Sequence, residues 1–321
     1  MKNNPSTFPQ SFSEKNVAVF QQTLQQPVSC EGVGLHSGQA VRLRFLPAEI
    51  GTGIRFRRVD QSDALDIPAL ADYVIHTERT TVLGKEGQSV ATVEHSLAAI
   101  WALDLDNVLI EIDGPEMPIF DGSAQPYVQA LQEGRLQQQN AERRFIDILE
   151  PITLMDSSRN SVVVASPSSR FSLECSIDFQ SAHVPGGTYF LDNPEAFLAE
   201  LAPARTFVFF HELEYLMDQG LIKGGDLDCA LVYAEQPLPE SKLLRLIQRF
   251  GRDKLTGNSL GLLNTLQPRF SDEPLRHKVL DALGDLALAG RRIRGSISIH
   301  RPGHSINVAF ARKLRELYAH E

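Results

Sequence analysis

RHKVLDALGDLAL, residues 276–288, is the stretch on which the fold turns, together with the strand pattern at 297–299 and the breakers Pro302 and Gly303 that follow it. Val279, Leu280, Leu283 and Leu286 recur at helical spacing, so the stretch reads as a helix with one apolar side. An earlier stretch has the same order: VEHSLAAIWALDL at 93–105 reads as a helix, 108–112 as a strand, and Gly114 and Pro115 break it. Each helix is preceded by two strand patterns, at 41–45 and 53–59 in the first half and at 161–165 and 171–179 in the second. Each strand that follows the helix leads to a further helix, near 124–132 and over 305–318. The unit strands–helix–strand–helix therefore occurs twice, joined near 146–152. A helix pair of this kind needs a sheet on which to bury its apolar side, so each half reads as a two-layer α+β domain. The expected organisation is a tail at 1–20, a first α+β domain at 21–146 and a second at 147–321. An unduplicated chain of the common β-β-α-β-α order fits the same signals. The second half carries extra sequence between Phe179 and Glu273, with a helix expected over 212–218 and weak signals over 236–270, which read as an adaptable surface excursion.

Composition narrows the function. A chain of 321 residues with 31 Lys and Arg against 40 Asp and Glu has a formal charge of −9, which disfavours a nucleic-acid partner. The three cysteines, Cys30, Cys175 and Cys229, are far apart and form neither a disulfide framework nor a cysteine metal site. No targeting segment and no apolar run of membrane-spanning length is expected, and the reading is a cytoplasmic protein, taken as a monomer.

Three places carry candidate chemistry. On the helix at 276–288, His277, Asp281 and Asp285 stand at i, i+4 and i+8 and share one side, so His277 and Asp281 can reach one cation. By itself this is equally an exposed His–Asp pair on an amphipathic helix. At Thr92-Val93-Glu94-His95, Thr92 reads as an N-cap that puts Glu94 and His95 in the first turn. Adjacent helical residues point in different directions, so His95 can bind a metal while Glu94 serves as general base. In the turn Arg301-Pro302-Gly303-His304, His304 can act as general acid, with Asp285 orienting it. Two His and one Asp leave the fourth position of a tetrahedral zinc open, as a hydrolytic zinc site requires. Together the three places read as a zinc-dependent amidohydrolase. The loop Gly32-Val33-Gly34-Leu35-His36-Ser37-Gly38 is not a dinucleotide fingerprint, and no phosphate-binding loop or HExxH is present.

At these residues the chain resembles the UDP-3-O-acyl-N-acetylglucosamine deacetylases, zinc enzymes of lipid A biosynthesis. The resemblance rests on GVGLHSG at 32–38, TVEH at 92–95, DNVLIEIDGPEMPIFDGSA at 106–124, ARTF at 204–207, GLIKGGDLDCALV at 220–232, HKVLDALGD at 277–285 and GH at 303–304. It implies two similar two-layer domains of the ribosomal protein S5 domain 2-like kind, with helices packed between the sheets and the active site at the domain interface. It also implies zinc ligands at His95, His277 and Asp281, with iron(II) as an alternative metal in the cell. Glu94 is implied as general base, His304 as the electropositive acid, Asp285 as its support and Thr206 as oxyanion donor. The substrate so implied is an acylated UDP-N-acetylglucosamine, contacted by Lys278, Phe207, Phe179 and Arg301. Its acyl chain would occupy a passage walled by Phe209, Phe210, Leu213, Leu221 and Ile222. The long tail before Gln22 and the long stretch between Val232 and Asp272 depart from the family pattern. Two other readings fit the residues: a zinc amidase acting on another N-acetylated nucleotide sugar, and an inactive, zinc-stabilised binding protein of the same fold.

Overall fold

The computed structural model describes residues 18–318, so most of the tail expected at 1–20 lies outside the described residues. The first part of the chain forms β1 (Phe20–Leu24), β2 (Val28–Val33), β3 (Ala40–Pro47), β4 (Ile54–Arg58) and β5 (Asp66–Pro68). A small meander follows, β6 (Val74–His76), β7 (Val82–Lys85) and β8 (Gln88–Val90). Then come α1 (Glu94–Ala102), β9 (Val108–Ile112), α2 (Gln125–Glu133), β10 (Leu136–Glu142) and β11 (Phe145–Asp147). The second part contains β12 (Ile152–Asp156), β13 (Ser161–Ser166), β14 (Phe171–Ile177), β15 (Gly187–Leu191) and the single turn α3 (Pro194–Ala196). An insert holds β16 (Thr206–Phe209), α4 (Phe210–Asp218), β17 (Ala230–Ala234), α5 (Glu240–Phe250) and β18 (Gly261–Leu262). The chain closes with α6 (Glu273–Ala287), β19 (Arg292–His300) and α7 (His304–Tyr318).

Mixed α and β structure was expected, and two sheets carry it. Their strand orders are β2-β3-β9-β4-β5 and β12-β13-β19-β14-β15. In each, the central strand (β9 or β19) runs antiparallel to one neighbour (β3 or β13) and parallel to the other (β4 or β14). Strand β11 adds to the second sheet, parallel to β19, so that sheet takes strand from Phe145 onward. Period-2 burial along β3, β9 and β13 turns Leu43, Phe45, Ile110, Val163 and Ala165 inward. One continuous apolar cluster joins these residues to Leu97 and Ile100 of α1 and to Val279, Leu283 and Leu286 of α6.

The helices α1 and α6 lie against one another at the heart of this cluster. Gly284 makes the contact possible: a Cβ at that position would stand 2.1 Å from the Glu94 carbonyl oxygen. Consequently α6 has no solvent side where its polar residues fall, and His277, Asp281 and Asp285 are as buried as its leucines.

Two expectations need correction. Thr92 does not cap α1: it adopts φ +60°, Val93 stands at the helix start, and the Thr92 hydroxyl donates to the buried Glu116 carboxylate at 3.3 Å. The backbone turns sharply there, because the chain passes directly from β8 into a buried helix. The stretch 236–270 is also no featureless excursion, since α5 and β18 occupy it and pack Leu246, Leu255 and Leu263 into the insert's own apolar cluster.

Candidate metal centre and its cavity

The site grows from the α1–α6 contact. His95 and Glu94 come from the first turn of α1, His277, Asp281 and Asp285 from successive turns of α6, and His304 from the start of α7. His95, His277 and Asp281 each offer a ligand atom, and the three atoms lie within 4.8 Å of one another. His277 Nε2 stands 3.4 Å from Asp281 Oδ1 and His95 Nε2 3.7 Å from the same oxygen. The two rings meet edge-on, with centroids 5.0 Å apart.

The surroundings prepare these groups for a cation. The Ala204 carbonyl lies 3.1 Å from His277 Nδ1, where it accepts that N–H and leaves Nε2 with its lone pair towards the cluster. Burial pushes the His95 imidazole down to about 3, with the neighbouring His277 adding to the effect, so it stays neutral. Burial lowers His277 as well, against the pull of Asp281. Burial alone would raise Asp281; the charge of Lys278, with the His304 imidazolium adding to it, holds it far below the usual carboxylate range instead. Lys278 Nζ donates to Asp281 Oδ2 at 2.9 Å, which leaves Oδ1 for a metal. Two neutral imidazoles and one ionised carboxylate on one small space form a donor set that fits a divalent ion of the zinc kind.

Beside the donor set lies a second group. His304 Nδ1 donates to Asp285 Oδ2 at 2.9 Å. Asp285 also accepts from the Thr81 hydroxyl at 2.7 Å and the Asn307 amide at 3.0 Å. Burial opposes the charged imidazole, but the Asp285 charge and hydrogen bond, with Asp281 and Glu94 farther off, push His304 up to about 9. Glu94 is buried and accepts from the Thr81 backbone N–H at 3.1 Å. Burial, with Asp281 and Asp285 near, raises its carboxyl to about 7 although His304 works the other way. One group is thus held as a cationic acid at neutral pH and the other is poised to take a proton.

Thr206 opens β16, two residues after the Ala204 carbonyl that orients His277. Its N–H donates to the Gly122 carbonyl at 2.8 Å. Gly122 has φ +82°, and a Cβ there would fall 1.7 Å from the Cys229 carbonyl oxygen, so the turn at 121–123 admits only glycine at this point. Arg205 is fully buried and binds Glu273 at the head of α6 through its Nε at 2.8 Å, which ties the start of β16 to the helix that carries His277 and Asp281.

From Thr206 and Phe207 a cavity of about 110 Å³ extends into the insert, with Leu213, Leu216, Ile222 and Phe250 among its walls. Leu35, His36 and Arg79 close it from the first half of the chain. The loop at 32–38 is held there by Glu116, which accepts the N–H groups of His36 and Ser37.

Comparison with known proteins now bears on this arrangement. The sequence profile of the UDP-3-O-acyl N-acetylglycosamine deacetylase family matches residues 21–257 and 255–316. The bifunctional enzyme LpxC/FabZ of Bacteroides thetaiotaomicron is 41% identical over 94% of this chain and 66% of its own length. The UDP-3-O-acyl-N-acetylglucosamine deacetylase of Syntrophotalea carbinolica is 38% identical over 92% of this chain and 88% of its own, and that of Idiomarina loihiensis 39% over 89% and 87%. This chain belongs to the UDP-3-O-acyl N-acetylglycosamine deacetylase family. It spans 64–66% of the length of the bifunctional relatives it matches. Among the described residues no helix is long and apolar enough to cross a membrane.

The remaining residues expected at a deacetylase site fall in different places. Lys278 lies over the Phe207 ring at 5.8 Å, and Phe179 packs edge-on against Phe207 at 5.2 Å. Leu213 and Ile222 line the cavity. Phe210 does not: its ring is buried in the insert's apolar cluster, under Lys242 Nζ at 5.5 Å, because it begins α4 on the inward side. Phe209 packs with Phe207 and Tyr233, and Leu221 is largely exposed. Arg301 adopts φ +52° and donates its N–H to the Ser176 carbonyl at 2.7 Å, at the turn that leads into His304. Reading the sequence missed Thr81, Asn307, Arg205 and Glu273. Arg205 lies within the ARTF motif without a role having been read for it, the other three carry no motif signal, and each matters only through what the fold brings beside it.

Proposed function

We propose that this protein hydrolyses the N-acetyl group of a 3-O-acylated UDP-N-acetylglucosamine, releasing acetate and a free 2-amino group, as a step of lipid A biosynthesis. The observation that carries the reading is a His95–His277–Asp281 donor set tied through the Ala204 carbonyl and Lys278 to the start of β16, where Thr206 and Phe207 line a predominantly apolar cavity. A metal held there, zinc in our reading with iron(II) as the cellular alternative, supplies Lewis-acid activation of the water and of the amide carbonyl when bound.

The chain's own residues do the rest. Glu94, raised by burial, takes the proton of the attacking water. The Thr206 hydroxyl donates a hydrogen bond to the oxygen that becomes negative as the carbonyl is attacked. His304, kept charged by Asp285, gives its proton to the nitrogen as the C–N bond breaks. Acid–base catalysis of this kind contributes roughly 10²–10⁴ in rate. Lys278, with Phe207 and Phe179, forms a cationic and aromatic rim suited to the sugar and its phosphates, and Arg301 is the outer candidate for the nucleotide. The acyl chain occupies the cavity of the insert. We also infer that the first unit (21–146) and the second (147–321) are copies of one ancestral unit, with the site at their seam. The matching strand orders and senses of the two sheets support this. Strand β11 then belongs by pairing to the second copy.

The test compares acetate release from acylated and unacylated UDP-N-acetylglucosamine by protein carrying about one zinc ion per chain. Strong preference for the acylated substrate is expected. Equal turnover of the two would leave an amidohydrolase without a lipid substrate, and no release from either would remove the hydrolytic reading.

A further inference from the structure

The helix α5 has no part in the chemistry above, yet it reaches the cavity. Phe250, its last residue, lines the same space as Leu213, Leu216 and Ile222. Three features fix it there. The Arg249 guanidinium stands 5.1 Å from the Phe250 ring and braces it from the neighbouring position. The same guanidinium donates to the Ile222 and Lys223 carbonyls, both at 3.2 Å. Lys242 and Arg245 hold the helix to α4 through Glu214 at 2.7 Å and Asp218 at 2.6 Å.

Ile222 itself is held under strain. It adopts φ +52°, a region a β-branched residue rarely enters, and it persists only where its surroundings enforce it. Here its carbonyl accepts from Gly225 N–H at 3.1 Å as well as from Arg249. Two walls of the cavity, Ile222 and Phe250, are therefore fixed by one side chain of α5. Thr206 follows Ala204, whose carbonyl binds His277, whereas α5 is tied to α4 and to residues 222–223.

We propose that α5 is the acyl-length determinant of this protein, with Phe250 as the stop that ends the apolar passage on the side away from the metal ligands and Arg249 as its positioning residue. The proposal rests on the deacetylase reading of the site. It adds to that reading an upper limit on the linear acyl chain accepted, set by one aromatic ring. The apolar lining is what discriminates, since each methylene that finds burial is worth about fourfold in affinity and each one that does not is worth nothing.

The experiment uses the full chain loaded with zinc and a ladder of UDP-N-acetylglucosamines bearing 3-O-acyl chains from short to long. Wild type, Phe250→Ala and Phe250→Trp are compared by kcat/KM for acetate release. Dissociation constants for the same ladder are measured by calorimetry on protein with Glu94→Gln, which binds without turning over. Phe250→Ala is expected to move the preferred length upward, with a gain of about tenfold for the chains beyond the wild-type limit. Phe250→Trp moves it downward, and the shortest substrate is handled alike by all three proteins. Identical length profiles in the three proteins, with the shortest substrate still turned over, would overturn the proposal while leaving the deacetylase reading intact. Absence of acetate release from every substrate, with binding that still shifts with residue 250, would sink the deacetylase reading and leave the length stop standing.

Discussion

Replacing Asp285 by asparagine tests how the site keeps His304 charged. Three donors converge on this carboxylate, from Thr81, His304 and Asn307 at 2.7, 2.9 and 3.0 Å. The groups facing the imidazole are Asp285 and Asp281 from α6 and Glu94 from α1, with burial working against all three. The rise of His304 from 6.5 to about 9 corresponds to about 3 kcal/mol of preference for the protonated form. Because the folded-state value is raised, this stability is fully present below 6.5 and is lost as pH rises through 9. Asp285→Asn removes the charge, so burial prevails and the imidazole falls to or below its ordinary value. The variant should therefore be less stable than the parent by about 3 kcal/mol more at pH 6 than at pH 10, on top of a pH-independent loss of about 1–3 kcal/mol for the unmet donor. The alkaline limb of its rate profile should move from about 9 to below neutrality. Unfolding free energies at the two pH values and an NMR titration of His304 measure this directly, with metal content checked to be unchanged. A stability difference that does not vary with pH, and a His304 that still titrates near 9 in the variant, would refute the assignment of Asp285 as its support.

Two further outcomes follow from the same packing. Gly284→Ala drives a methyl group to 2.1 Å from the Glu94 carbonyl oxygen, so α1 and α6 must part. A loss of roughly 1–3 kcal/mol in unfolding free energy is expected, with weakened metal binding because His95 moves with Glu94. Asp281→Ala removes a proposed metal ligand and strands Lys278, whose ammonium is paired to that carboxylate. Elemental analysis should find no metal retained, and thermal unfolding should show a loss of roughly 3–5 kcal/mol.

The shared side of His277, Asp281 and Asp285 was legible because helical periodicity alone puts them together, and α6 does hold them so. Periodicity could not tell that this side is buried. That depends on Gly284, on Ala98 and Ala99 of α1, and on a second sheet far away in the chain. Strand β3 was readable from its alternation and β9, β13 and β14 as strand patterns, whereas α5 was not. Its basic, leucine-rich sequence buries only Leu246 fully and owes its place to pairs with Glu214 and Asp218 across an insert. The start of α1 misled for a related reason: Thr92 has the chemistry of a cap, but a left-handed backbone and a buried Glu116 give its hydroxyl another partner. Thr81 was invisible altogether. A threonine just ahead of a strand announces nothing until β7, α1, α6 and α7 meet around it.

Three carboxylates buried within one site would repel one another if they shared one environment, and what separates them is the partner each receives. Asp281 sits on a lysine and stays ionised, with one oxygen left for a cation. Asp285 spends its oxygens on Thr81, His304 and Asn307, and its charge is answered by the imidazolium it creates. Glu94 has no cation bonded to it, and burial lifts it to about 7, where it can gain and lose a proton at neutral pH. The proposed ligand, support and base thus differ by environment and not by chemistry, and Thr81 links two of them: its N–H goes to Glu94 and its hydroxyl to Asp285. Since both bonds depend on one residue's backbone and side chain, base and acid are held in register by the same short segment between β7 and the turn at Arg79, and a displacement of that segment would misplace both at once.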